Sequence, residues 1–429
     1  MTSDDTSRRR FIAAAAALGA TGLAGCSSGD GTPTEGMSGM NGSDGTDATA
    51  TPTEEGMASM AAPDVPVLNY ALTLEHLENA FYREGLAEFS DDEIAGAETL
   101  SRFGDRVRRE VPEYLRTVGA HEQAHVDAIA ATVEDLGGTP IEEGEYEFGY
   151  ETPSEFLAVA RALENTGVAA YAGAAPKVVN NDVLAAAAGI HSVEARHAAF
   201  LNLVNDASPY PNAVDEAQSV SEVLEVAGEF VTSEVDPSAY ETGEDRPEQA
   251  RKADNDTSDV DVLNYALTLE HLENAFYRDG LAGFTDEEVA NADVLASLDA
   301  SVREAVPDHL RTVGAHERAH VDAITATVQD LGGTPVEEAT YDFGYETPSE
   351  FLGVARALEN TGVAAYKGAA PTVSADAVFS AAIGIHSVEA RHAAFLNELN
   401  EGSPFPDGVD EPMSMSEVRE VAAGFIVEE

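Results

Sequence analysis

The sequence predicts an all-α protein: two four-helix bundles in tandem, each with a short extra helix, after a disordered N-terminal tether. Three observations carry this expectation. Apolar residues recur at helical spacing, with few of the β-branched alternations that mark strands. A long block returns without gaps at a displacement of 195 positions, the distance from Glu75 to Glu270. That period is far longer than a solenoid repeat, so each copy is read as a domain. Finally, 429 residues leave room for two or three domains.

Residues 1–25 read as an export signal rather than as fold. Ser7-Arg8-Arg9-Arg10-Phe11-Ile12 is a twin-arginine start, and the apolar run that follows is too short to span a bilayer. It ends in Leu23-Ala24-Gly25-Cys26, which resembles the lipobox of exported lipoproteins. Cys26 is therefore expected to carry a lipid on the outer face of the cell membrane after export by the twin-arginine route. As the only cysteine, it excludes disulfides and cysteine-held metal centres within one chain. Residues 26–63, rich in Gly, Ser, Thr, Asp and Glu, cannot bury enough apolar surface to fold and read as a flexible tether. Met37, Met40, Met57 and Met60 lie within it; thioethers are soft ligands for Cu(I), but methionines in a linker are the simpler reading.

The first domain is placed at 64–232, the linker at 233–259 and the second domain at 260–429. A first helix covers 66–88, with Leu68, Leu72, Leu74, Phe81 and Leu86 at helical spacing. A short helical piece follows at 91–103. The second main helix, 107–137, has Pro112 near its first turn and Gly137-Gly138 as its stop. The third opens on Thr152-Pro153-Ser154-Glu155, a capping box with proline at the first helical position, and stops before Pro176. The fourth covers 181–205, and 219–230 is a short amphipathic extra helix. The connection 138–152 is long enough to run the length of a bundle, as a crossover between two helix pairs requires.

Acidic residues outnumber basic ones 79 to 23, for a net charge of −56. Such a surface repels nucleic acid and anionic lipid headgroups, so membrane contact is expected through the lipid anchor alone. It also destabilises the compact state unless concentrated salt screens it, which suits a halophile.

Glu75, Glu122 with His125, Glu164, and Glu194 with His197 are spread over the four helices of the first copy. They return as Glu270, Glu317 with His320, Glu359, and Glu389 with His392. Residues three apart share a helix face, so each Glu-x-x-His pair can hold a metal; that Glu75 and Glu164 would bridge or flank the two is matched to a known di-metal pattern, not to spacing. Residues seven apart also share a face. Tyr82 follows Glu75 by seven and Tyr171 follows Glu164 by seven, as do Tyr277 and Tyr366 in the second copy. These tyrosines can hydrogen-bond a ligand carboxylate or donate an electron. Carboxylates with imidazole suit iron first, manganese as the alternative, and also zinc. Glu78 shares the face of Glu75, but Gly167 stands at the matching place after Glu164, so the internal symmetry favours Glu75. His191 shares the face of Glu194 as a further candidate ligand, whereas His76 lies off the stripe.

His121-Glu122-Gln123-Ala124-His125 and its copy at 316–320 also match the His-Glu-x-x-His of zinc metalloproteases. A protease reading leaves Glu75, Glu164 and the Glu194/His197 pair unexplained and lacks a marked third ligand.

At these residues, and most of all over 68–82, the chain resembles the ferritin-like superfamily, specifically exported ferritin-like domains related to desiccation-associated proteins. The likeness spans roughly 66–232 and 261–427. It implies a di-metal centre in each domain, held by the two six-residue sets above, the arrangement known from ferritin-like di-iron and di-manganese proteins. The four-cysteine iron site of rubrerythrins is excluded, and a tandem, lipid-anchored chain is poorly placed to close a ferritin shell; pairing of the two domains within the chain is expected instead. Handling of O2 or H2O2, or oxidation of iron, is the function implied. The alternative is a non-catalytic envelope protein that sequesters metal or protects during water loss.

Overall fold

The structure, a computed structural model, describes residues 62–233 and 257–427. The expected signal, Cys26, the four tether methionines and most of the linker lie outside the described residues.

In the first repeat, α1 (Val65–Glu88) is followed by the short α2 (Asp91–Ala95), α3 (Asp105–Asp135), α4 (Pro153–Ala174), α5 (Asn181–Val204) and α6 (Val220–Ala227). The second repeat has α7 (Asp259–Gly283), α8 (Asp286–Ala290), α9 (Ala300–Asp330), α10 (Pro348–Ala369), α11 (Asp376–Leu399) and α12 (Met415–Ala423). Local chemistry sets most of the boundaries. Reciprocal capping boxes start α2 (Ser90/Glu93), α4 (Thr152/Glu155) and α6 (Ser219/Glu222), each satisfying backbone N–H groups that the first turn leaves orphaned. Asp64 precedes α1 but caps another segment: its carboxylate accepts from the backbone N–H groups of Val179 and Asn180, tying α1 to the start of α5.

Pro112 departs from the expectation. It sits well inside α3, which starts at Asp105, and Pro307 does the same in α9. An interior proline costs about 3 kcal/mol as a local preference. Here the ring is buried and the apolar face of a 31-residue helix continues on both sides of it, so packing overrides propensity.

Within a repeat, α1 packs along α3 and α4 along α5, and α1 meets α4 to join the two pairs. The connection 138–152 carries no helix. Asn69 holds it, donating to Thr139 O and accepting from Ile141 N–H, and His76 Nε2 lies 3.2 Å from Ile141 O. Its one β-bridge pairs Tyr146 with Val231, repeated as Tyr341 with Ile426.

The two repeats pack on each other chiefly through α5 and α11. Val168, Ala195 and Ala198 meet Val363, Ala390 and Ala393 in a small separate core, where short side chains let the helices approach closely. Among the described residues no helix is long and apolar enough to cross a membrane.

Candidate metal centre

Four helices aim one functional stretch each at the middle of the bundle. Glu75 comes from α1, Glu122 and His125 from α3, Glu164 from α4, and Glu194 and His197 from α5; none of the six has any exposed surface. The second repeat brings Glu270, Glu317, His320, Glu359, Glu389 and His392 together in the same way.

The twelve residues fall into four groups, two per repeat. Glu75, Glu122, His125 and Glu194 offer ligand atoms within 4.8 Å of one another, and so do Glu122, Glu164, Glu194 and His197. Glu122 and Glu194 belong to both groups, so they are the shared carboxylates, with Glu75 and Glu164 at the flanks. His125 Nδ1 lies 3.1 Å from Glu75, 3.3 Å from Glu122 and 3.1 Å from Glu194. His197 Nδ1 lies 3.0 Å from Glu122 and 3.2 Å from Glu164.

The tyrosines act crosswise. Tyr82 donates to Glu164 Oε1 at 2.5 Å and Tyr171 donates to Glu75 Oε1; Tyr277 donates to Glu359 and Tyr366 to Glu270 in the same pattern. Each flanking carboxylate is thus oriented by the hydroxyl of the other tyrosine-bearing helix, which leaves its second oxygen for the centre.

The electrostatics are those of a site built for cations. Burial raises Glu75 to about 7, against the pull of His125, and pushes Glu194 well up, with Glu122 and Glu164 adding repulsion. Burial also works to raise Glu122, yet His125 and His197 hold it well below the usual carboxylate range. For His197 burial alone would lower the pKa, but Glu164 and Glu122 raise it to about 10. Oε2 of Glu194 and Oε2 of Glu389 lack a hydrogen-bond partner, whereas Oε1 of Glu194 and Oε1 of Glu122 are met by His125 Nδ1 and His197 Nδ1. Orphaned buried carboxylate oxygens cost several kcal/mol each unless a counter-charge meets them. Four ionised carboxylates per repeat balance two divalent cations, so the donor set fits a metal pair.

Residues 63–206 and again 258–401 match the family described as the ferritin-like domain. The chain belongs to that family. No curated protein matches it.

Several residues around this ferritin-like centre were not assigned their places by sequence reasoning. Glu78 is a fifth buried carboxylate beside the flanking and shared ones, its pKa pushed well up by burial and by the charges of Glu194 and Glu164. A Cβ at Gly167 would lie 3.0 Å from Glu78 Oε1 and 3.2 Å from Glu194 Oε2, so the glycine is what gives both carboxylates room. Gly362 does the same for Glu273 and Glu389. The departure from helix-to-helix symmetry at Gly167 was the available signal.

His121 lies outside both groups. Its Nδ1 is 3.1 Å from His197 Nε2, and burial, then the neighbouring His197, depresses its pKa to about 3. Neutral His121 therefore accepts the Nε2 proton of His197 and leaves His197 Nδ1 facing the carboxylates; His316 stands likewise to His392 at 3.0 Å. In the zinc-protease pattern both histidines would face one metal, whereas here His121 meets the ring of another histidine. His191 also lies outside both groups. It is buried between the repeats with its ring 5.7 Å from that of His386.

Proposed function

We propose that each repeat holds two metal ions, iron before manganese, and that the protein uses them on O2 or H2O2, oxidising iron or removing peroxide at the cell surface. The observation that carries this is the pair of overlapping Glu/His groups in each ferritin-like repeat, sharing two carboxylates of which one keeps an oxygen without a hydrogen-bond partner. Hard oxygen and imidazole donors without thiolate favour iron and manganese. Two such ions, when bound, supply one electron each to the oxidant.

The protein's own residues set the conditions. Glu75, Glu122, His125, Glu164, Glu194 and His197 would hold the first pair, and Glu270, Glu317, His320, Glu359, Glu389 and His392 the second. Full burial keeps bulk water away from them. Tyr82, Tyr171, Tyr277 and Tyr366 keep their protons, since burial followed by the adjacent carboxylate pushes each hydroxyl far above its usual range. They therefore orient Glu164, Glu75, Glu359 and Glu270 as donors. On the same reading the twin-arginine segment exports the folded chain and a lipid on Cys26 holds it outside the membrane.

Metal analysis after reconstitution with Fe(II) or Mn(II), joined to peroxide-turnover and iron-oxidation assays, tests the proposal. About two ions per repeat with turnover are expected. Metal without turnover would replace the redox role by sequestration, and no metal would overturn both.

A further inference from the structure

Each metal-facing histidine of α3 and α9 has a second ring nitrogen, and its partner comes from the other repeat. His125 Nε2 lies 2.7 Å from the backbone oxygen of Gly408, and His320 Nε2 lies 2.6 Å from that of Ala213. Gly408 belongs to the loop between α11 and α12, residues 400–414; Ala213 belongs to the equivalent loop of the first repeat, residues 205–219. A carbonyl can only accept, so the bond places a proton on Nε2 and turns Nδ1 toward the carboxylates, as the nitrogen that would give up its own proton to meet a metal.

The same loops are clamped onto the opposite repeat. Arg391 donates to Asp215 at 2.7 Å and Arg196 to Asp410 at 2.8 Å, all four side chains being largely buried. Each guanidinium also reaches an asparagine across the boundary: Arg196 to Asn360 at 3.1 Å and Arg391 to Asn165 at 3.2 Å. The backbone N–H of Asp215 donates to Gly384 O, and that of Asp410 to Gly189 O. Close approach requires those glycines, since a Cβ at Gly384 would lie 2.6 Å from Asp215 O and one at Gly189 3.0 Å from Asp410 O. An aromatic ring from each loop completes the contact. Phe405 packs edge-on against His197 at 5.0 Å, and Tyr210 against His392 at 4.9 Å.

We propose that the two metal centres are completed in trans: residues 205–219 position the histidines of the second centre, and residues 400–414 those of the first. Gly408 and Ala213 act through their carbonyls as positioning residues, and Asp410 and Asp215 anchor them. The inference rests on the reading that these clusters hold metal. It assigns the tandem arrangement a purpose that repetition alone does not explain, because neither repeat contains all the groups that orient its own ligands.

The test uses the full chain with one centre disabled. In a Glu122→Ala/His125→Ala background only the second centre remains, and Co(II) titration followed by its visible absorption reads that centre alone. Asp215→Ala, a change in the first repeat, should then weaken Co(II) binding by about 10- to 100-fold, the usual effect of removing a partner behind a metal-bound histidine. Asp410→Ala in the same background should leave it within about twofold. Asp215→Asn keeps an oxygen for Arg391 and should restore most of the affinity. An Asp215→Ala effect equal to that of Asp410→Ala, or none, would overturn the proposal while leaving metal binding intact. Failure of the unmodified chain to bind Co(II) would instead remove the reading on which it rests. Should Asp215→Ala fail to fold, imidazole 15N NMR of the unmodified, Zn(II)-loaded chain decides: protonated, hydrogen-bonded Nε2 at both His125 and His320 is expected, and a proton-free Nε2 contradicts it.

Discussion

At the scale of single residues, the centre is defined by which buried oxygens and nitrogens face one another across the four helices. The shared Glu122 meets both histidines and Glu194 keeps one oxygen without a partner, while Glu75 and Glu164 each spend one oxygen on a tyrosine hydroxyl. Tyr82→Phe therefore removes the group that aims Glu164 and should weaken metal binding by about tenfold, read by Co(II) or Fe(II) titration. Protons and metal compete for the same atoms. Glu75 in the folded, metal-free protein sits near 7 rather than at its ordinary value, and His197 near 10. For both, the folded state holds protons more tightly than the unfolded state. Their stabilising contribution is complete at low pH and is lost as pH rises through 7 for Glu75 and through 10 for His197. Above the range where the depressed His121 and His316 act, metal-free protein in concentrated KCl should therefore melt progressively lower between about pH 7 and pH 10. The increase in melting temperature on adding metal should grow over the same range, because binding releases these protons. A metal-free melting temperature that rises with pH would contradict this reading.

At the scale of helices, spacing was enough to place the six Glu and His residues of each set on faces that the fold brings together. Glu-x-x-His on two helices and a Glu-to-Tyr step of seven on the other two each select one helix face, and the capping box at Thr152–Glu155 announced α4. What spacing does not encode is contact between faces. The crosswise pairing of Tyr82 with Glu164 and of Tyr171 with Glu75 depends on α1 lying against α4. The interior positions of Pro112 and Pro307 depend on burial that a local rule does not see, and the carbonyls of Gly408 and Ala213 come from loops carrying no ligand pattern. Gly167 illustrates the difference. As a helix-interior glycine it should gain up to about 1 kcal/mol on change to alanine. Its Cβ, however, would press on the carboxylate ends of Glu78 and Glu194. Gly167→Ala should thus keep or raise the melting temperature of the metal-free protein while weakening metal binding severalfold. A variant that binds metal as tightly as the parent would show that these carboxylates do not need that space.

At the scale of the whole molecule, two ferritin-like repeats share a small-residue core between α5 and α11, and each repeat sends a loop over the other's centre. Around them lies a surface with a net charge of −56. Salt shortens the screening length from about 10 Å at 0.1 M to about 3 Å at 1 M, which relieves the self-repulsion. The melting temperature should accordingly rise by at least about 5 °C over that range, equivalent to roughly 2 kcal/mol; a flat response would mean that the charge is already offset within the fold. The central claim, two metal pairs built from twelve named residues, is tested most directly by counting ions on the intact chain by native mass spectrometry after Fe(II) or Mn(II) reconstitution. About four ions on the unmodified chain, falling to about two in Glu122→Ala/His125→Ala, are what the account requires. A chain that takes up no metal, or whose count is unchanged by that double substitution, would contradict it.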